Sequence, residues 1–300
     1  MAISYYLADL LSRHFFLGEN LASPCGTTPY LALLTGQSSG NGDNWIEVDK
    51  VTKPSYHREA FYPILEPDRY YIYQVGNIEF PRVTEPSGWG AVIGVGLYDR
   101  DGIPDPGNIL FDLPWVVHDT FQKIPSFPFD SGCRVTFPAV EKHIVFKFGG
   151  KEYDIENGSI SQEYSKVIMD WIFNFRAVPY PRTYDMAIGR GADLNLDNWG
   201  RWNGIWSECQ GEGYNPIALT ADDWEQDTPL SITNKNEIVF TEGATDDWGN
   251  ITDIILFPHG NTAHPAFLGH LGTSTYIHAG DGFAVGASQF KVLWEGDSIN

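Results

Sequence analysis

The chain has 300 residues, enough for one large or two medium domains, and its 42% hydrophobic and 14% aromatic content indicates a folded protein. Its 39 acidic and 19 basic residues leave a formal charge of −20, concentrated in the second half, and such a surface repels phosphate backbones and anionic headgroups. Nucleic-acid and membrane-surface partners are therefore disfavoured.

The aromatic residues suit pleated, half-buried surfaces, and 31 Gly and 19 Pro scattered between short apolar runs supply turns, so a mainly all-β fold is expected. The stretch Met1 to Asp9 lacks the basic region and long apolar core of a signal peptide. No apolar run approaches the ~20 residues of a transmembrane helix. Synthesis in the cytoplasm without membrane insertion is expected, and Cys25, Cys133 and Cys209 are too few and too dispersed for a disulfide framework or a zinc site.

Taken in chain order, the landmarks occur twice. Ile3–Phe16 returns as Ile160–Phe173, each with apolar residues at helical spacing (Leu7, Leu10, Leu11; Val167, Ile168, Trp171, Ile172) and a serine, Ser4 or Ser161, placed to cap. A strand follows each helix, Tyr30–Leu34 and Tyr184–Ile188. Tyr56–Ala60 then matches Tyr214–Ala218, and Asn77–Phe80 matches Glu237–Phe240. Trp-Gly enters a strand in both halves, at Trp89-Gly90 and Trp248-Gly249. Leu110–Leu113 parallels Leu268–Leu271, which sets His270 beside Asp112. Asp130–Val135 parallels Ala279–Val285, and Ile144–Lys147 and Phe290–Leu293 close the copies.

This order predicts two tandem β-sandwich or jelly-roll-like domains, each preceded by a short α-helix: residues 1–150, a polar linker at 151–158, and a diverged copy at 159–300. The copies are expected to fold as equivalent units.

Signatures of chemistry are sparse. There is no P-loop, dinucleotide fingerprint, nucleophile elbow or His-Glu-x-x-His helix. His259, His264, His270 and His278 lie near one another in sequence without the short spacings of a metal site, and read as surface or interstrand histidines. Asp193–Asp197 could begin a calcium loop, but Asn198 and Gly204 stand where an EF-hand needs Gly and Glu; Asp99–Gly102 reads as a turn. No catalytic residue, metal or cofactor is assigned. Trp199, Arg201, Trp202 and Trp206 form an aromatic segment able to stack on sugar rings, to anchor a protein interface, or to cover its own sheet as Trp45 would. Trp89 and Trp248 read as structural.

The ordered series Leu31-Ala32-Leu33, Tyr56-His57-Arg58, Asn77-Ile78-Glu79-Phe80-Pro81, Trp89-Gly90 through Tyr98-Asp99, Phe137-Pro138-Ala139 and Ala279-Gly280-Asp281 resembles a family of small virion structural proteins of tailed bacteriophages, often labelled tail fibre or minor tail proteins. It spans nearly the whole first copy and the second more loosely, where Pro216 and Pro258 depart from the pattern. The resemblance implies a non-enzymatic structural protein exposed on the particle, assembled in the host cytoplasm and associated with the tail, baseplate or fibre. Capsid decoration (a cement protein) is the alternative, and host-receptor or glycan binding a second. Implied partners are other virion proteins, at the tail or baseplate or the major capsid protein, with further copies of the chain as trimers or around a ring, and a host surface glycan in the last reading. A depolymerase would need a carboxylate pair in a cleft, which the sequence does not single out.

Overall fold

A computed structural model describes residues 2–26, 28–37, 45–66, 71–74, 76–114, 126–137, 145–146, 159–175, 183–191, 206–260 and 265–294. The linker predicted at 151–158 lies outside these residues. The fold is mostly β, with two α-helices and several antiparallel sheets.

In the first half the elements are β1 (Ala2–Ile3), α1 (Tyr5–Phe15), β2 (Tyr30–Gln37), β3 (Trp45–Glu47), β4 (Glu59–Ala60), β5 (Pro63–Glu66), β6 (Tyr71–Gln74), β7 (Ile78–Glu79), β8 (Gly90–Val92), β9 (Gly94–Tyr98), β10 (Ile109–Pro114), β11 (Phe127–Phe129), β12 (Thr136–Phe137) and β13 (Val145–Phe146). The second half continues with β14 (Ser159–Ile160), α2 (Gln162–Ile172), β15 (Tyr184–Gly189), β16 (Ile217–Leu219), β17 (Trp224–Thr228), β18 (Ser231–Asn234), β19 (Ile238–Thr241), β20 (Gly249–Pro258), β21 (Phe267–Ile277), β22 (Phe283–Val285) and β23 (Lys291–Leu293).

Each half carries a large sheet, β1-β10-β9-β2-β3 with β4 also on β2, and β14-β21-β20-β15-β16. Each also has a three-stranded sheet (β13-β6-β5; β17-β18-β23) and a two-stranded one (β12-β7; β19-β22). Where the first half pairs β8 with β11 separately, the second runs the same pairing into the long strands β20 and β21.

Both helices start as their sequences dictate. Ser4 accepts a hydrogen bond from the Leu7 N–H (3.0 Å), and Ser161 from the Tyr164 N–H (3.1 Å), so the expected serines satisfy orphan donors of the first turn. Leu7, Leu11, Ile168, Trp171 and Ile172 are buried, whereas Leu10 and Val167 are partly exposed.

A buried tyrosine fixes the matching register of the two halves. The Leu33 N–H donates to the Tyr56 hydroxyl (2.8 Å), which donates to Glu47 Oε1 (2.8 Å). The Ile188 N–H donates to the Tyr214 hydroxyl (3.0 Å), which donates to Glu208 Oε1 (3.1 Å). Tyr30 pairs with Ala60 and Asp185 with Ala218, so the counterpart of Tyr30 is Asp185, one residue beyond the Tyr184 that the sequence pattern suggests. The counterpart of Phe111 is likewise Phe267, since they pair with Leu97 and Leu256. His270 therefore does not stand beside Asp112; its counterpart is Pro114. The slip has a physical cause. Leu31 to Leu34 and Met186 to Ile188 are buried on both faces, so these strands lack the in–out alternation that would fix register from sequence.

The halves share one core. Buried residues of both form a single contiguous cluster, and the helices cross between the halves to build it. Phe16, at the end of α1, packs on Tyr184 (4.9 Å between ring centroids), Trp224 (5.0 Å) and Phe267 (5.7 Å) of the second half. Phe173, at the end of α2, packs on Phe61 and Phe111 of the first, each at 6.4 Å. In the same reciprocal way, α1 contacts β18 and α2 contacts its counterpart β6.

Candidate functional site

The most concentrated polar arrangement surrounds a concavity of about 270 Å³ bordered by Tyr6, Trp45, Glu47, Arg58, Tyr98 and Asn108. Arg58 is brought there by the chain segment between Tyr56 and β4, and only 3% of its side chain is exposed. Its Nε and Nη2 donate to the Glu47 carboxylate at 2.8–3.1 Å. Its Nη1 donates to the carbonyls of Arg100 (2.8 Å) and Pro106 (2.7 Å), and the guanidinium carbon lies 3.6 Å from the centroid of the Tyr98 ring. Gly102, at φ +83°, closes over it; a Cβ there would sit 3.2 Å from the guanidinium carbon.

This cluster clamps a loop. The backbone of residues 99–108 is tied further by Asp99 to the Asn108 N–H (2.7 Å), Asp101 to the Ile103 N–H (2.9 Å) and Asp105 to the Gly107 N–H (2.9 Å). Asp99–Gly102, read from sequence as a turn, forms the first part of the longer connection between β9 and β10. Lys50 donates to the Asp101 carbonyl (3.2 Å), which joins the neighbouring turn to the clamp, and burial pushes its ammonium down from the ordinary value. Burial likewise raises the Tyr56 and Tyr98 phenols. In the second half Pro216 and Phe257 stand where the first half has Arg58 and Tyr98.

A second cluster centres on Glu85. Its carboxylate accepts from the Ser55 N–H (2.8 Å) and hydroxyl (2.6 Å), the Thr84 N–H (3.2 Å) and the Trp89 indole N–H (3.0 Å). Desolvation pushes this carboxyl up, but the donors together outweigh it and hold it down at about 2. Trp248, the counterpart of Trp89, donates instead to the Glu212 carbonyl (3.1 Å), and Gly211 lies so close to its ring that no side chain fits there. Both tryptophans are buried in the core.

The described histidines of the second half each face an aspartate. His270 Nδ1 lies 2.5 Å from Asp253 Oδ1, its cross-strand partner, and the Thr252 hydroxyl donates to the other carboxylate oxygen at 2.6 Å. His259 lies 2.8 Å from Asp185 and His278 3.7 Å from Asp247. They do not converge, and among the described residues no group of three or more His, Cys, Asp or Glu side chains could hold a metal ion. His264 and Asp193–Asp197 lie outside the described residues. Cys25 and Cys209 are buried and Cys133 partly so, all three as free thiols.

Of the aromatic segment, Trp199, Arg201 and Trp202 lie outside the described residues. Trp206 is half-buried, with its ring 4.8 Å from Phe257 over a patch of Ala187, Ile255 and Leu268. Trp45 does the same for Ala32, Leu34, Tyr98 and Ile109 in the first half. The glutamates that receive Tyr56 and Tyr214, and the clamp built by Arg58, are not evident from sequence. The one available hint is Glu47, a charged residue between Ile46 and Val48. No helix among the described residues is long and apolar enough to cross a membrane. No protein-family model and no curated protein matches the chain.

Proposed function

We propose that the protein is a non-enzymatic structural component of a tailed-phage particle, exposed on its surface and acting through protein–protein contacts at the tail, baseplate or fibre. One observation carries this reading: the strongest polar clusters are spent on backbone. Arg58 holds two carbonyls of a surface loop, Glu85 gathers two backbone N–H groups, and Glu47 and Glu208 orient tyrosines that tie down central strands. Such groups are committed to rigidity. A general acid or base needs instead a lone pair or proton aimed at a space where substrate can sit.

The ordered motifs that resemble phage virion proteins point the same way. The matching strand registers support reading residues 1–150 and 159–300 as two copies of one β-sandwich or jelly-roll-like unit, the second diverged. Rigid β units with tied-down loops suit a component that must present fixed surfaces to neighbours.

The test is the position and copy number of the chain in purified particles, by imaging and quantitative mass spectrometry. The reading expects a fixed stoichiometry, low for a tail component and in the hundreds for a capsid decoration protein. Absence from washed particles would overturn it.

A further inference from the structure

The seam between the halves has the form of a symmetric dimer interface. His14 and Trp171 occupy the same position of their helices, counted from the capping serines, and stack on each other at 4.2 Å with 19° between planes. A residue faces its own counterpart only on a two-fold axis. Away from that point the contacts come in exchanged pairs: Phe16 on Phe267 and Phe173 on Phe111, where Phe267 and Phe111 are counterparts. Each helix is anchored to its own half by the serine at its start, Ser4 N–H to the Leu110 carbonyl and Ser161 N–H to the Ala266 carbonyl. Each then delivers its far end to the other half.

Polar groups cross the seam as well. The Trp294 indole donates to the Ser12 hydroxyl (2.7 Å), and the Ser23 hydroxyl (2.8 Å) and Cys25 N–H (3.3 Å) donate to the Ile172 carbonyl. Large aromatic anchors in desolvated pockets, with such bonds around them, are the composition of an obligate interface.

We propose that this seam is a self-sufficient recognition surface whose partner is the other half of the fold. The halves then hold together as separate polypeptides, and the covalent connection through residues 149–158 is dispensable for their association. The inference stands on the seam's geometry alone and is independent of where the protein acts.

The full-length chain with a protease site inserted between residues 149 and 158 tests it. After complete cleavage, the two fragments are expected to travel together at the mass of the intact chain in native mass spectrometry and gel filtration. Their melting midpoint should rise with protein concentration, whereas that of the uncut chain should not. In the cleaved Phe16→Ala variant, association should weaken at least about a hundredfold. Fragments that separate in native buffer overturn the proposal, as does cleaved Phe16→Ala that associates as tightly as the cleaved parent.

Discussion

The rings of His14 and Trp171, each in the last turn of its helix, lie face to face with centroids 4.2 Å apart. Trp171 also meets Phe15 edge-on at 5.5 Å and donates its indole N–H to the Leu21 carbonyl at 3.4 Å, so one side chain of the second half fills a gap bounded by the first. Trp171→Ala should lower stability by about 3–5 kcal/mol, the usual cost of emptying an aromatic core site. Denaturant unfolding should remain a single transition with an earlier midpoint. A second, separate transition would show that the halves melt independently.

Arg58 is worth more as a clamp than as a charge. Arg58→Ala takes the guanidinium from the Glu47 carboxylate, whose side chain is 16% exposed and which keeps the Tyr56 hydroxyl, and frees the carbonyls of Arg100 and Pro106. A loss of about 3–5 kcal/mol is expected for breaking such a pair. Arg58→Lys should restore little, because one ammonium cannot span a carboxylate and two carbonyls in a fixed fork. Limited proteolysis should cut within residues 99–108 in both variants before it cuts the parent there; an unchanged cleavage pattern would count against the clamp.

Glu85 sets an acid limit. Its carboxyl is held at about 2 in the folded protein against an ordinary value of 4.5, so its contribution is complete above 4.5 and is lost as pH falls from there towards 2. Glu85→Gln should be less stable than the parent at pH 7, and the gap between them should narrow steadily below pH 4.5. Urea midpoints for both proteins at pH 7, 4.5 and 2.5 measure this. A gap that stays constant would place the acid sensitivity elsewhere.

Trp206 separates covering from binding. With its ring on Phe257 over the second-half sheet, Trp206→Ala should cost about 2 kcal/mol, a part of the cost of a fully buried aromatic. Thermal melts give the comparison. A variant of unchanged stability that adsorbs poorly to host cells would assign this ring to recognition.

The legible parts of the fold are those set by local rules. Ser4 and Ser161 announce their helices because a serine oxygen suits an orphan N–H, and the Trp-Gly steps mark strand entries because glycine follows at positive φ, +89° at Gly90 and +80° at Gly249. Register is less legible. Leu31–Leu34 is apolar on both faces, so a shift of one residue leaves the pattern intact, and the match of Tyr30 to Asp185 emerges from the strand pairing and the tyrosine hydroxyls together. The packing of each helix end on the other half has no signal in the sequence. An amphipathic stripe such as Leu7 and Leu11 requires an apolar surface without specifying whose, and Phe16 follows the helix with no sign that Tyr184 and Trp224 receive it. The Arg58 clamp joins residues distant in sequence, and the arginine stands between His57 and Glu59 in a polar stretch that does not mark it out.

Hydrogen exchange on the uncut Phe16→Ala chain tests the shared core most directly. Phe16 belongs to the first half by sequence and to the second by contact, so the loss of amide protection should centre on β15 and β21, around Tyr184 and Phe267. Loss confined to α1 and the first-half strands, with β15 and β21 protected as in the parent, would contradict a core closed by exchanged helices.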